Sequence, residues 1–240
     1  MEQTTGGHYL DPTSAGHDLA LDLRRFLAGQ TPYVLAIPPD GLPVASSIAR
    51  ELNAPLDIAV SRRMVDAARP GETLGAITPD RALVVNKPLV SEMGLTDEAL
   101  EQLVIPEWAE AQRAMQRYRR GRPYPNLRGY TAVIVDDGLT TGYTMLAAVI
   151  SVRKFEPERI IAAVPVSSLA AIERLRDYVD DLLVLKISSD EHFSVESYYH
   201  YYAHPTDQQV IWTLDEFWRD KSAQGYTETF WSGRPQLPDG

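Results

Sequence analysis

The chain has 240 residues, 44% of them hydrophobic, enough for one sizeable α/β core, or a core with an appendage. Zero cysteines exclude disulfides and thiolate catalysis, and a net charge of −10 argues against general nucleic-acid binding. No stretch approaches the roughly eighteen apolar residues of a membrane span, and the opening MEQTTGGHYL has no signal-peptide pattern, so a cytoplasmic protein is expected.

Strand signals fall at 33–37, 56–60, 82–85, 132–135, 160–166 and 182–187, and helical patterns lie between most of them, at 15–28, 43–53, 97–120, 143–155 and 169–178. Pro43 suits a first helical turn, and Ser168 is a plausible N-cap. The alternation predicts an α/β fold, a mainly parallel sheet flanked by helices. Residues 65–88 break the rhythm with Pro70, Gly71, Gly75, Pro79 and Pro88 among short β-like pieces. They read as an inserted hairpin or flexible hood, about 65–95, over a site. From Ser188 the chain turns aromatic and His-rich, and Thr206 with Gln209 forms a capping box opening a last helix. The α/β domain is set at 1–210, and a C-terminal helix and tail extension at 211–240. Lys221–Gly240 is expected to be a surface extension, partly disordered or packed on a partner chain.

The most informative stretch is TAVIVDDGLTTGYT, Thr131 to Thr144. Val133, Ile134 and Val135 are β-branched and uninterrupted, as in a strand buried on both faces. Ligands in open α/β sheets sit beyond the carboxyl ends of such strands, so Asp136 and Asp137 would edge a crevice. Carboxylates suit the vicinal hydroxyls of a ribose, directly or through Mg²⁺. Gly138 and Gly142 permit a tight turn and close approach, Thr140, Thr141 and Thr144 offer hydroxyls, and the start of the next helix favours a phosphate. Upstream, Arg113, Arg117, Arg119, Arg120, Arg122 and Arg128 crowd one segment. They form either a solvated helical face or, in part, a positive surface for an anionic ligand.

The segment 131–144 resembles the phosphoribosyl diphosphate (PRPP) signature of type I phosphoribosyltransferases. VLAIPPDGLPVASSIARELNAPLDIAVSRRM is similar to the first half of such an enzyme, and FSVESYYHYYAHPTDQQV to the end of a subgroup of small predicted phosphoribosyltransferases. The resemblance covers roughly residues 11–210. It implies a phosphoribosyltransferase-like fold and a Mg²⁺-dependent transferase that binds PRPP, passes the phosphoribosyl group to a small-molecule acceptor, most simply a nitrogenous base, and releases diphosphate. Asp136 and Asp137 would be the catalytic and metal-binding acids. Thr140, Thr141, Gly142 and Thr144 would hold the 5′-phosphate with backbone help from Gly138 and Leu139. The turn Pro38–Asp40–Gly41 would face the diphosphate, with Arg62 and Arg63 at the end of the second strand adding positive charge.

One departure stands out: the subgroup's diphosphate turn usually reads Pro-Arg-Gly-Gly, and here it reads Pro38-Pro39-Asp40-Gly41. A carboxylate replaces a cation where a diphosphate should approach. Either Asp40 helps to hold Mg²⁺, or tight diphosphate binding has been lost. The alternative function is then a non-catalytic PRPP- or nucleotide-binding regulator using the same pocket. A third reading is an interaction protein with a vestigial pocket, against which the intact acid pair and threonine loop argue. The acid that assists the base in many purine enzymes is absent, Thr140 standing at that position. Phe193, Tyr198, Tyr199, Tyr201 and Tyr202 either stack on a base or form a packing patch, with a homodimer expected on the second reading. His192, His200 and His204 lack a supporting zinc pattern.

Overall fold

The computed structural model describes residues 8–65, 69, 71–190 and 193–223. Helix α1 (Pro12–Phe26) opens with a reciprocal capping box. Asp11 accepts from the Ser14 N–H at 2.7 Å, and the Ser14 hydroxyl receives the Asp11 N–H at 3.1 Å. Strand β1 (Pro32–Ala36), helix α2 (Gly41–Glu51) and strand β2 (Leu56–Ile58) follow. Helix α1 lies against α2 at Gly16, where a Cβ would stand 2.5 Å from the Val44 carbonyl. That spacing admits no side chain.

Residues expected to form a hood build a second, three-stranded antiparallel sheet: β3 (Arg62–Val65), β4 (Thr73–Ile77) and β5 (Leu83–Val85). A short helix α3 (Lys87–Glu92) and the long helix α4 (Asp97–Arg119) complete this lobe. Met64, Leu74 and Ile77 pack against Leu89, Val90, Leu103 and Trp108. The hood thus has its own apolar cluster, and its first strand begins three residues before the expected start. The predicted strand 56–60 ends at Ile58, so Arg62 and Arg63 do not close the second parallel strand. They belong to β3, which pairs antiparallel with β4.

The chain then enters β6 (Thr131–Val135), α5 (Tyr143–Arg153), β7 (Arg159–Ser168), α6 (Leu169–Leu175) and β8 (Asp181–Ser188). The main sheet has the order β2-β1-β6-β7-β8, all neighbours parallel. Every residue of β6 is buried, which explains its unbroken apolar run. From β1 the chain winds outward to β2, and later segments build the other way from β6. The crevice between the carboxyl ends of β1 and β6 is therefore the topological switch point, where open α/β sheets bind ligands.

After β8 the chain forms a strap with a 3-10 turn at Val195–Tyr198, then helix α7 (Asp207–Ala223). The Thr206–Gln209 capping box is present, with the Thr206 N–H on Gln209 Oε1 at 2.8 Å. Val210, Leu214 and Phe217 of α7 enter the same cluster as Leu19, Ile48, Leu56 and Val133. A division at residue 210 is therefore no packing boundary: it cuts a helix that belongs to the main core. The tail 224–240 and His192 lie outside the described residues. No helix among the described residues is long and apolar enough to cross a membrane.

Candidate functional site

At the switch point lies a cleft of about 1030 Å³. Its wall includes Pro38, Asp40, Arg62, Arg63, Asp136 and Asp137, and the loop residues Gly138, Leu139, Thr140, Thr141, Gly142 and Thr144. Of the site residues singled out from sequence, Gly41 alone is not in that wall. It sits behind it, where a Cβ would meet the Val135 carbonyl at 2.7 Å and the Asp136 Cα at 2.9 Å. Gly41 is a spacer: it lets the turn after β1 and the end of β6 lie against each other.

The loop 138–142 is stitched to its neighbours. The Leu139 N–H donates to the Val166 carbonyl and the Leu139 carbonyl accepts from the Ser168 N–H, each at 2.9 Å. Leu139 therefore shapes the loop and has no backbone donor left for a phosphate, contrary to the expectation from sequence. Its side chain is buried in the core. The Ser168 hydroxyl donates to the Thr140 carbonyl, and the Arg174 guanidinium donates to the Thr141 carbonyl while lying 4.1 Å from the centre of the Tyr143 ring. Ser168 also caps α6 through the Ala171 N–H at 3.1 Å, so one residue anchors both the loop and the helix behind it. Gly142 adopts φ +75°, and a Cβ there would lie 3.1 Å from that of Ala171.

Capping distinguishes the helices around the cleft. Side chains cap α1, α3, α4, α6 and α7, from Asp11, Asn86, Thr96, Ser168 and Thr206. No side chain caps α2 or α5. Both open onto the cleft, with N-cap residues Asp40 and Gly142 in its wall. At α5 this leaves first-turn N–H donors and a positive dipole end for an anion. At α2 the Gly41 and Leu42 N–H groups donate to the Ile37 and Pro39 carbonyls and Pro43 has none, so that start offers its dipole end alone.

Asp136 and Asp137 follow β6 directly. The Asp137 N–H donates to Asp136 Oδ1 at 3.1 Å. The Tyr199 hydroxyl donates to the Asp137 carbonyl at 2.6 Å, and the Tyr202 hydroxyl donates to the Asp137 carboxylate. Burial raises the Asp136 pKa well above the carboxylate range, with the nearby charges of Asp137 and Asp40 adding to it. Burial likewise lifts Asp137 to about 6, against the lowering effect of the Tyr202 bond. Crowded carboxylates with raised pKa values favour a cation among them. Among the described residues, no group of three or more His, Cys, Asp or Glu side chains could hold a metal by itself. Mg²⁺ is commonly held by one or two carboxylates completed by water and substrate phosphates, and the Asp136–Asp137 pair fits that shared mode.

Asp40 has a partner that sequence reasoning missed. Its Oδ1 lies 2.8 Å from His204 Nδ1, and His204 Nε2 lies 3.7 Å from Glu196. The bond to Asp40 raises the His204 pKa, with the Asp40 charge the next cause. Residues 200–204 are not helical, and His200 instead meets the His8 ring at 5.4 Å. Two of the aromatics turn inward: Tyr199 is buried against Tyr9, and Tyr202 points its hydroxyl at the acid pair. The arginine cluster also lies elsewhere. Arg113, Arg117, Arg120 and Arg128 pair with Glu110, Asp207, Asp215 and Glu156, Arg119 is buried on Asp57, and Arg122 stacks on Trp218. Of the cleft's cations, Arg62 pairs with Glu107 at 3.3 Å and Arg63 is exposed.

A family model described as "Phosphoribosyl transferase domain" matches residues 13–202. Two Mycobacterium tuberculosis proteins, of strains CDC 1551 and H37Rv and provisionally named phosphoribosyl transferases, are each 34% identical over 215 residues. The match takes in 90% of this chain and 48% of each relative, so the chain spans about half the length of the curated relatives it matches. The crystal structure of TT1426 from Thermus thermophilus superposes with a TM-score of 0.71 at 31% identity, over 88% of this chain and 99% of that one.

Proposed function

Since the chain belongs to the phosphoribosyl transferase domain family, we propose that it is a Mg²⁺-dependent phosphoribosyltransferase using PRPP. The observation that carries this reading is the convergence, on one cleft, of an acid pair and the open start of α5. The start of α5, with Thr140, Thr141 and Thr144, suits the 5′-phosphate, and the positive dipole end of α2, with Arg62 and Arg63 in the same wall, suits the diphosphate. Asp136 and Asp137 lie between, as acceptors for the ribose hydroxyls. Mg²⁺ shared by these acids and substrate oxygens would offset charge on the leaving diphosphate. In the reaction the bond from the anomeric carbon to the diphosphate oxygen breaks and a bond to the acceptor nitrogen forms. The acceptor proton must leave by another route than the loop, since Thr140 supplies no acid or base.

Calorimetric titration tests the reading, with PRPP and ribose 5-phosphate each added with and without Mg²⁺. Much tighter binding of Mg²⁺–PRPP is expected. Equal affinities would mean that only the monophosphate end is recognised. Asp40 in the diphosphate turn favours a second reading, a non-catalytic PRPP or nucleotide sensor, which predicts binding without diphosphate release when bases are added. A homodimer is part of the proposal, with Tyr201 (72% exposed) and Trp212 (61%) as two large exposed aromatics to test by sedimentation and substitution.

A further inference from the structure

We infer that His204 is a positioning residue for diphosphate recognition: by pairing with Asp40 it offsets the carboxylate that this chain carries in the turn between β1 and α2. The inference rests on the proposed reading of the cleft. A bare carboxylate in this turn repels a diphosphate by about 1 kcal/mol per charge pair at 4 Å in water, and by several times more where water is excluded. His204 lies 164 residues further along the chain, yet its Nδ1 is 2.8 Å from Asp40 Oδ1. Its ring also meets Tyr202 edge-on at 5.2 Å, and Tyr202 is bonded to Asp137.

The strap that delivers it is held on both sides. Before it, the Tyr199 hydroxyl donates to the Asp137 carbonyl and Tyr199 pairs with Tyr9. After it, Thr206 caps α7. Asp40 does not cap α2, whose Gly41 and Leu42 N–H groups already donate to the Ile37 and Pro39 carbonyls, and its carboxylate pairs with His204 in the cleft wall instead. One strap thus serves both ends of the acid cluster, Tyr202 at Asp137 and His204 at Asp40. The partner for the carboxylate in that turn, where Pro39 and Asp40 stand, arrives from a segment 164 residues away.

The test is calorimetry of Mg²⁺–PRPP and ribose 5-phosphate with wild type, His204→Gln, Asp40→Asn and the double variant, with thermal melts as folding controls. His204→Gln should weaken Mg²⁺–PRPP about tenfold and leave ribose 5-phosphate unchanged. In the double variant, affinity for Mg²⁺–PRPP should return to within about threefold of wild type, because the charge needing compensation is gone. An unchanged PRPP preference in His204→Gln overturns the inference alone. So does a loss shared by both ligands that Asp40→Asn fails to rescue, since that marks a merely structural strap. A wild type that binds the two ligands alike removes the proposed function and this inference with it.

Discussion

Asp136 shows how the site sets recognition against stability. Its raised pKa means that the folded protein holds a proton which the unfolded chain releases above about pH 4, so stability falls as pH climbs through that range. Asp136→Asn can keep the acceptor used by the Asp137 N–H while removing a like charge. In EDTA the variant should melt a few degrees higher than wild type at pH 8, with the gap closing toward pH 4. The same variant should lose at least tenfold in Mg²⁺-dependent PRPP affinity. Scanning calorimetry and titration check the two halves. Of the residues around the acids, the loop threonines and glycines were legible in sequence because their spacing along one strand–loop–helix unit is local. Tyr202 and His204 were not, since nothing in their own neighbourhood names Asp137 or Asp40 as partners.

Elements meet at small contacts that leave no slack. Gly41 separates the start of α2 from the end of β6, and Gly41→Ala must push back the Val135 carbonyl, 2.7 Å away. About 2–3 kcal/mol of stability should be lost in denaturant titration, with weakened PRPP binding, because the displaced atoms belong to the segment carrying Asp136. The hood is held to α5 by Asp80, in the turn between β4 and β5. It accepts from Ser151 and from Lys154, each at 2.8 Å, and from Thr78. Burial alone would raise the Asp80 pKa, but the bonds from Lys154, Thr78 and Ser151 outweigh it and hold it below the usual range. The stabilisation is therefore complete above the unfolded value of about 3.9 and is lost as pH falls through the lower folded value. Asp80→Asn should cost about 1–2 kcal/mol at pH 7, and the difference from wild type should shrink in acid, as chemical unfolding at both pH values would show. Period and turn residues exposed the hood as an interruption, but not its antiparallel pairing. That pairing moved Arg62 and Arg63 from the main sheet to β3.

The whole molecule carries −10 while its proposed substrate is a polyanion. Long-range repulsion then opposes encounter, and salt that screens it should help until local contacts weaken. At saturating Mg²⁺, the association rate of PRPP in stopped flow should rise about two- to fivefold between 10 and 150 mM KCl. A falling rate would mean that Arg62 and Arg63 dominate the field at the cleft.

Sequence by itself determined the strand–helix alternation, the buried β6, the acid pair followed by its Thr/Gly loop, and the caps at Ser168 and Thr206. All of these depend on period, propensity and spacing within about fifteen residues, which a chain states locally. Tertiary structure alone decided which helix starts stay uncapped toward the cleft, that the crowded arginines are spent on other partners, and that α7 joins the main core. It also brought His204 to Asp40. Such pairings join residues far apart in the chain. They arise from how the sheet winds outward from β1 and β6 and how the strap returns across it, and no local pattern encodes that.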